Sequence, residues 1–154
     1  MAFPMFSKKP EDVLTAAEKE QIVNAIRQAE SQTSGEIRVY MESHNKYVDP
    51  VDRAAEIFYK LKMEQTAERN AVLLYIALKD RQMAIFGDEG IYSRTGKAYW
   101  DNLVKEILQH FNKKNFAAGI SEYVQKIGAG LHHHFPYDRE TDHNELPDDI
   151  AFGN

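Results

Sequence analysis

The chain has 154 residues, 43% hydrophobic and 11% aromatic, enough to bury the core of one domain. Nineteen basic against 24 acidic residues leave a formal charge of -5, a field that repels nucleic acid and offers an anionic membrane no polybasic stretch. Cysteine is absent, which excludes disulfides, thiolate zinc sites and sulfur nucleophiles and leaves oxygen and imidazole as metal-binding groups.

The first ten residues are apolar only briefly and carry their charges after the apolar part, unlike a signal peptide. No stretch approaches the roughly 18 uninterrupted apolar residues that span a bilayer. A soluble cytoplasmic protein without membrane insertion is the expectation. Thr15-Ala16-Ala17-Glu18 forms a capping box, and Ile22, Val23, Ile26 and Ala29 follow at helical spacing, so a first helix is predicted from Ala16 to Gln32. Gly35 stands where a left-handed residue commonly closes a helix. Beyond it Ile37, Val39 and Met41 alternate with Glu36, Arg38, Tyr40 and Glu42, the pattern of a two-faced strand.

Asp49-Pro50 sets a cap and a first-turn proline ahead of Ala54, Ala55, Ile57, Phe58 and Leu61, which predicts the second helix. Val72 to Leu78 is an apolar run suited to a central strand covered on both faces. Lys79-Asp80-Arg81 then joins it to Met83-Ala84-Ile85-Phe86 as an antiparallel hairpin. The first two strands, separated by a helix, are expected to be parallel with a right-handed crossover.

Trp100, Leu103, Val104, Ile107, Leu108 and Phe111 form one helical stripe. Phe116, Ile120, Tyr123, Val124, Ile127 and Leu131 form another behind an Asn115 cap, with Gly119 and Gly128 at expected close contacts. The order predicts an α/β fold, a three-layer α/β/α sandwich with a small mixed sheet. It occupies residues 1–135, and residues 136–154 read as an acidic C-terminal tail docked through Leu146 and Ile150.

With two strands running one way and the third running back, Glu36, Asn70 and the Gly87-Asp88-Glu89-Gly90 turn fall at one sheet edge. A helix starting near Thr95-Gly96-Lys97 adds Asp101. Clustered carboxylates need neutralising, by raised pKa values, by Arg69 or Arg94, or by a bound cation. Calcium takes six to eight oxygens in irregular geometry, which a glycine-flanked acidic turn can supply. Glu36, Asp88, Glu89 and Asp101 are therefore the candidate metal ligands, for Ca2+ foremost and Mg2+ next. A solvated turn with an arginine-paired Glu36 is the plain structural alternative. The G-x-x-G pair lacks the Walker lysine and the Rossmann spacing, so any phosphate here would arrive on a metal.

The segments Ser34-Gly35-Glu36-Ile37, Arg69-Asn70-Ala71-Val72-Leu73-Leu74, Gly87-Asp88-Glu89-Gly90-Ile91 and Phe116-Ala117-Ala118-Gly119-Ile120 resemble the TPM domain family, over roughly Thr15 to Phe135. Family members occur in the thylakoid lumen and in many bacteria. Ala71 stands where many members have glycine. The resemblance implies the three-layer fold, a divalent-cation site at the glycine-containing turn, commonly for calcium, and an acid phosphatase label inherited from the plant member. Members often carry a signal peptide or a transmembrane segment.

Three functions follow as expectations. The first is a binding or regulatory module that takes a divalent cation, with room for a protein partner. The second is a metal-dependent phosphatase in which Glu36 activates water. The third is a structural protein without ligand. Elsewhere, His132-His133-His134 with Asp138 and His143 suggests a surface zinc or nickel site, against an exposed helix end. Ser43 and His44 are sequence neighbours without a nucleophile elbow. Tyr99 and Trp100 read as rim and core aromatics.

Overall fold

A computed structural model describes residues 8–110, 116–137 and 145–154. One turn of helix, α1 (Pro10–Val13), precedes α2 (Ala16–Glu30). At the start of α2 both halves of the capping box form: Glu18 N donates to Thr15 Oγ1 at 3.1 Å, and Thr15 N donates to Glu18 Oε1 at 2.9 Å. The helix ends at Ser31 without a left-handed residue, so Gly35 is required for another reason. A Cβ there would sit 3.0 Å from Leu131 Cδ1 and 3.1 Å from the Asn70 carbonyl oxygen.

Strand β1 (Glu36–Glu42) leads to α3 (Pro50–Lys60), whose first turn is capped by Asp49 Oδ1 accepting from Val51 N at 2.9 Å. Strand β2 (Ala71–Ala77) is buried along its whole length and returns through residues 78–81 as β3 (Gln82–Gly87). Helices α4 (Glu89–Thr95), α5 (Lys97–His110) and α6 (Phe116–His134) follow, and β4 (Ile150–Phe152) closes the chain.

The sheet order is β3-β2-β1-β4; β1 is parallel to β2 and to β4, and β3 is antiparallel to β2. The alternation in β1 sorts its side chains as expected. Ile37, Val39 and Met41 join the core beneath α2, α5 and α6, with Ile26, Trp100 and Ile127. Tyr40 joins the core under α3, with Phe58, Leu73 and Tyr75. The result is a three-layer α/β/α sandwich around a mixed sheet. Gly128 lets α6 lie directly on α2, since a Cβ there would be 2.6 Å from that of Ala29.

Three elements are absent from the sequence-based expectation, the single turn α1, the helix α4 and the strand β4. Gly87-Asp88-Glu89-Gly90 is no free turn, because Asp88 caps α4 and Glu89 and Gly90 lie in its first turn. The C-terminal segment also supplies the edge strand β4, with Leu146 and Ala151 against one core and Ile150 and Phe152 against the other. Asn115, Phe111, Asp138 and His143 lie outside the described residues. Among the described residues no helix is long and apolar enough to cross a membrane.

Candidate functional site

Strand register brings the expected rim together. Glu36 lies opposite Ala71 and Val72 opposite Gly87, so the starts of β1 and β2 and the end of β3 share one edge. Backbone bonds continue the ladder, from Glu36 N to Asn70 O at 3.3 Å and from Asp88 N to Ala71 O at 3.0 Å. Two strand spacings then separate Glu36 from Asp88, about 10 Å between backbones.

Each carboxylate is engaged separately. Asp88 is almost fully buried and accepts a two-pronged guanidinium, Arg69 Nε at 2.7 Å on Oδ2 and Nη2 at 2.9 Å on Oδ1. Its Oδ1 also caps Glu89 N at 2.7 Å. Arg69 Nη1 extends to Glu89 Oε1 at 3.2 Å, so one arginine balances both carboxylates. Arg69 achieves this at φ 52°, a left-handed conformation costly for a residue with a Cβ. Gly90 makes the turn possible: its N–H donates to Arg69 O at 3.0 Å, and a Cβ would fall 2.4 Å from Glu68 O. Arg94, the other expected neutraliser, instead donates to His134 O and covers the Phe135 ring.

Glu36 turns to the C-terminal segment. Its Oε1 accepts from Glu145 N at 3.0 Å and from Leu146 N at 2.8 Å. Its carboxyl is raised to about 7, chiefly by burial, with the two amides pulling it down and the charges of Glu145 and Asp148 pushing it up. Asp101 is half exposed on α5, with its carboxylate 4.0 Å from Lys97 Nζ. Of the four expected ligands, only Asp88 and Glu89 thus share a partner. Among the described residues no three carboxylates or imidazoles are grouped as a metal's ligands would be.

The expected set lacked what lies between Glu36 and Asp88. Ser34 Oγ donates to Glu68 Oε2 at 2.6 Å, and Asn70 Nδ2 reaches Ser34 Oγ at 3.1 Å and Glu68 Oε2 at 3.4 Å. Asn70 is 1% exposed, yet its Oδ1 has no donor. Exchanging its O and N would turn the oxygen toward the Glu68 carboxylate, which fixes the amide with Nδ2 toward Ser34 and Glu68. Ser34 and Asn70 were within the segments singled out by sequence; Glu68 carried no signal of its own.

The other candidates sit elsewhere. His44 pairs with Asp80 at 2.9 Å on the opposite rim, while Ser43 is held through its backbone by Asn154 and Lys79. His132 Nδ1 lies 2.6 Å from Gln32 O, whereas His133 and His134 pack edge to face beside Tyr99. Trp100 is core and Tyr99 is half exposed at the rim.

Among solved structures the chain is similar to the BA42 protein of the psychrophilic bacterium Bizionia argentinensis, with 40% identity and a TM-score of 0.83 over 93% of this chain and 97% of that one. Two more distant likenesses concern the fold alone. The N-terminal domain of a P. gingivalis protein has 18% identity and a TM-score of 0.65 over 83% of each chain. The N-terminal domain of cg2496 from Corynebacterium glutamicum has 15% identity and a TM-score of 0.60 over 85% of this chain and 80% of that one. No curated protein matches. The TPM domain pattern matches residues 7–130, which include the rim, α4 and most of α6, and the chain belongs to the TPM domain family.

Proposed function

We propose that this TPM domain is a binding or regulatory module that takes a divalent cation, calcium or magnesium, at the corner formed by Asp88 and Glu89. The observation that carries this reading is the single Arg69 side chain spread across both carboxylates. Two adjacent anions held by one monovalent cation, itself 36% exposed, form a place where a divalent ion can exchange with the guanidinium. The donor set is all oxygen, as hard cations require, and the orphaned Asn70 Oδ1 adds a neutral acceptor on the same rim. Glu36 and Asp101, committed to other partners, fall outside this set. The bound ion would supply fixed positive charge at the rim, on which an anionic group of a partner could sit.

Calorimetric titration with calcium tests the exchange. Asp88→Asn is expected to abolish binding, and Arg69→Gln to tighten it about tenfold, because the ion no longer competes with a charge-assisted fork. Weaker binding in Arg69→Gln would mean that the arginine builds the site rather than guarding it.

One observation favours a phosphohydrolase as the second reading. Glu36 stands on the same rim as Asp88 and Glu89, two strands away, where a carboxylate general base would face a metal-held phosphate. The C-terminal segment would have to lift from it. Metal-dependent turnover of an aryl phosphate, lost in Glu36→Gln, would favour this reading.

A further inference from the structure

The end of the chain lies on the domain as a bound peptide would. Leu146-Pro147 predisposes it to extended backbone, because a proline fixes its own φ and keeps the residue before it out of the helical region. Glu36 Oε1 accepts the amides of Glu145 and Leu146 at 3.0 and 2.8 Å, and Glu145 Oε2 accepts Ala67 N at 2.9 Å. The Leu146 side chain packs against the core under α3. Arg38 Nη2 then donates to Asp149 Oδ1 at 3.0 Å, and Arg27 Nε stands 3.9 Å from Asp148 Oδ2. Ile150, Ala151 and Phe152 pair in parallel with Val39, Tyr40 and Met41. These are the parts of a strand-addition site, in which backbone pairing gives affinity while an apolar anchor and charged contacts give selectivity.

The fit is incomplete. Every residue from Glu145 to Asn154 keeps part of its surface in water. The Arg38 side chain is 13% exposed, yet its Nε has no acceptor, while Asp149, which takes one of its N–H groups, is 60% exposed. Asp148 Oδ1 is likewise buried without a donor. Each such atom has lost its water without gaining a partner, which weakens the docking. The three-residue strand β4 is a short closure that another strand can replace. We propose that Arg27, Glu36, Arg38 and the edge of β1 form a groove for an acidic, leucine-anchored, extended segment of another protein, and that residues 145–154 fill it as a displaceable internal strap.

The chemistry of the groove selects its occupant. Its two arginines call for carboxylates, although the chain as a whole carries a formal charge of -5. Glu36 calls for consecutive backbone N–H groups, and the core under α3 for a branched apolar side chain. A carboxylate placed to accept both Nε and Nη2 of Arg38 would make the two-pronged contact that Asp149 does not. A second copy of this chain brings the same Asp149 and the same deficit, so the better-fitting partner is a different protein. Arg27, Glu36 and Arg38 lie within the TPM domain pattern, whereas the strap lies beyond residue 130, where the match ends. Neither Asp88 nor Glu89 takes part, so the groove and the cation site stand or fall separately.

Fluorescence anisotropy of a labelled synthetic peptide of residues 145–154, titrated with the full chain, tests this. The tethered strap competes at an effective concentration on the order of millimolar, so the natural chain should bind the peptide only weakly. Leu146→Ala combined with Asp149→Ala in the chain weakens the strap alone and should tighten peptide binding at least about tenfold. Arg38→Gln added to that variant should reverse the gain, and the peptide carrying Asp148→Lys and Asp149→Lys should not bind. Equal affinity for the natural and weakened-strap chains, binding that ignores Arg38→Gln, or a weakened-strap chain that fails to fold would overturn the groove. A concentration-dependent dimer of the natural chain by light scattering would overturn the assignment to a different protein and give the groove to a second copy.

Discussion

Arg53→Met is expected to lower the unfolding free energy by about 3–5 kcal/mol. Glu42 is 5% exposed and accepts Arg53 Nε on Oε2 and Nη2 on Oε1, each at 2.7 Å, with the Tyr75 hydroxyl donating to Oε2 as well. The hydrogen bonds and charge of Glu42 hold the Arg53 guanidinium more firmly protonated than usual, and burial with the Glu42 contact raises the Tyr75 phenol. Removing the arginine strands a charge between β1 and α3, and that cost is a large share of the 5–15 kcal/mol typical of a domain. Most of it should return in Glu42→Leu/Arg53→Met, where neither charge remains. Urea unfolding followed by circular dichroism distinguishes the cases: equal stability of the single and double variants would show that packing by the arginine stem, rather than the stranded charge, accounts for the loss.

The second large effect is expected at Gly90. Alanine should gain up to about 1 kcal/mol of helix propensity in α4. Its Cβ, however, would lie 2.4 Å from Glu68 O and 2.6 Å from Arg69 O, backbone atoms that move only with the loop. Overpacking of this kind costs about 1–3 kcal/mol, so Gly90→Ala is expected to be net destabilising. The displaced segment carries Arg69, so the variant should also lose the fork on Asp88. Thermal unfolding measures the first consequence and amide shifts over residues 66–70 and 87–91 the second. A variant as stable as the natural chain, with unchanged shifts, would mean that the loop relaxes freely around α4.

The central layers were legible because each rests on a local pattern. The alternation from Glu36 to Glu42 and the unbroken run from Val72 to Leu78 identify a two-faced strand and a covered one, and the three polar residues after Leu78 announce the hairpin. Parallel then antiparallel pairing places Glu36 and Asp88 on one rim without knowledge of any side-chain contact. The partners of those acids were less accessible. Gly87-Asp88-Glu89-Gly90 has the composition of a turn, but Asp88 serves as the N-cap of α4 and Gly90 lets its first turn lie against the carbonyls of Glu68 and Arg69. Ile150-Ala151-Phe152 is too short to show a period, and it becomes a strand because the edge of β1 is available. Glu36 reads as a charge at the start of a strand, and its bonds to the amides of Glu145 and Leu146 are long-range contacts that no spacing rule encodes.

The same distribution explains why the four expected ligands separate. Side chains two strands apart on a rim converge only if nothing nearer satisfies them. Asp88 finds Arg69, Glu36 finds the amides of Glu145 and Leu146, and Asp101 has Lys97 four residues away on its own helix. Of the four, only Asp88 and Glu89 share one neutralising group, Arg69, whose side chain is 36% exposed.

The most direct measurement is a calcium titration of the isotope-labelled chain followed by backbone amide and Arg69 guanidinium resonances. Saturable shifts confined to residues 69–70 and 87–91, with Arg69 Nε–H losing its hydrogen-bonded position, are the predicted result. A spectrum unchanged at millimolar calcium, or shifts centred elsewhere while the Arg69 resonances stay fixed, would contradict cation exchange at this corner.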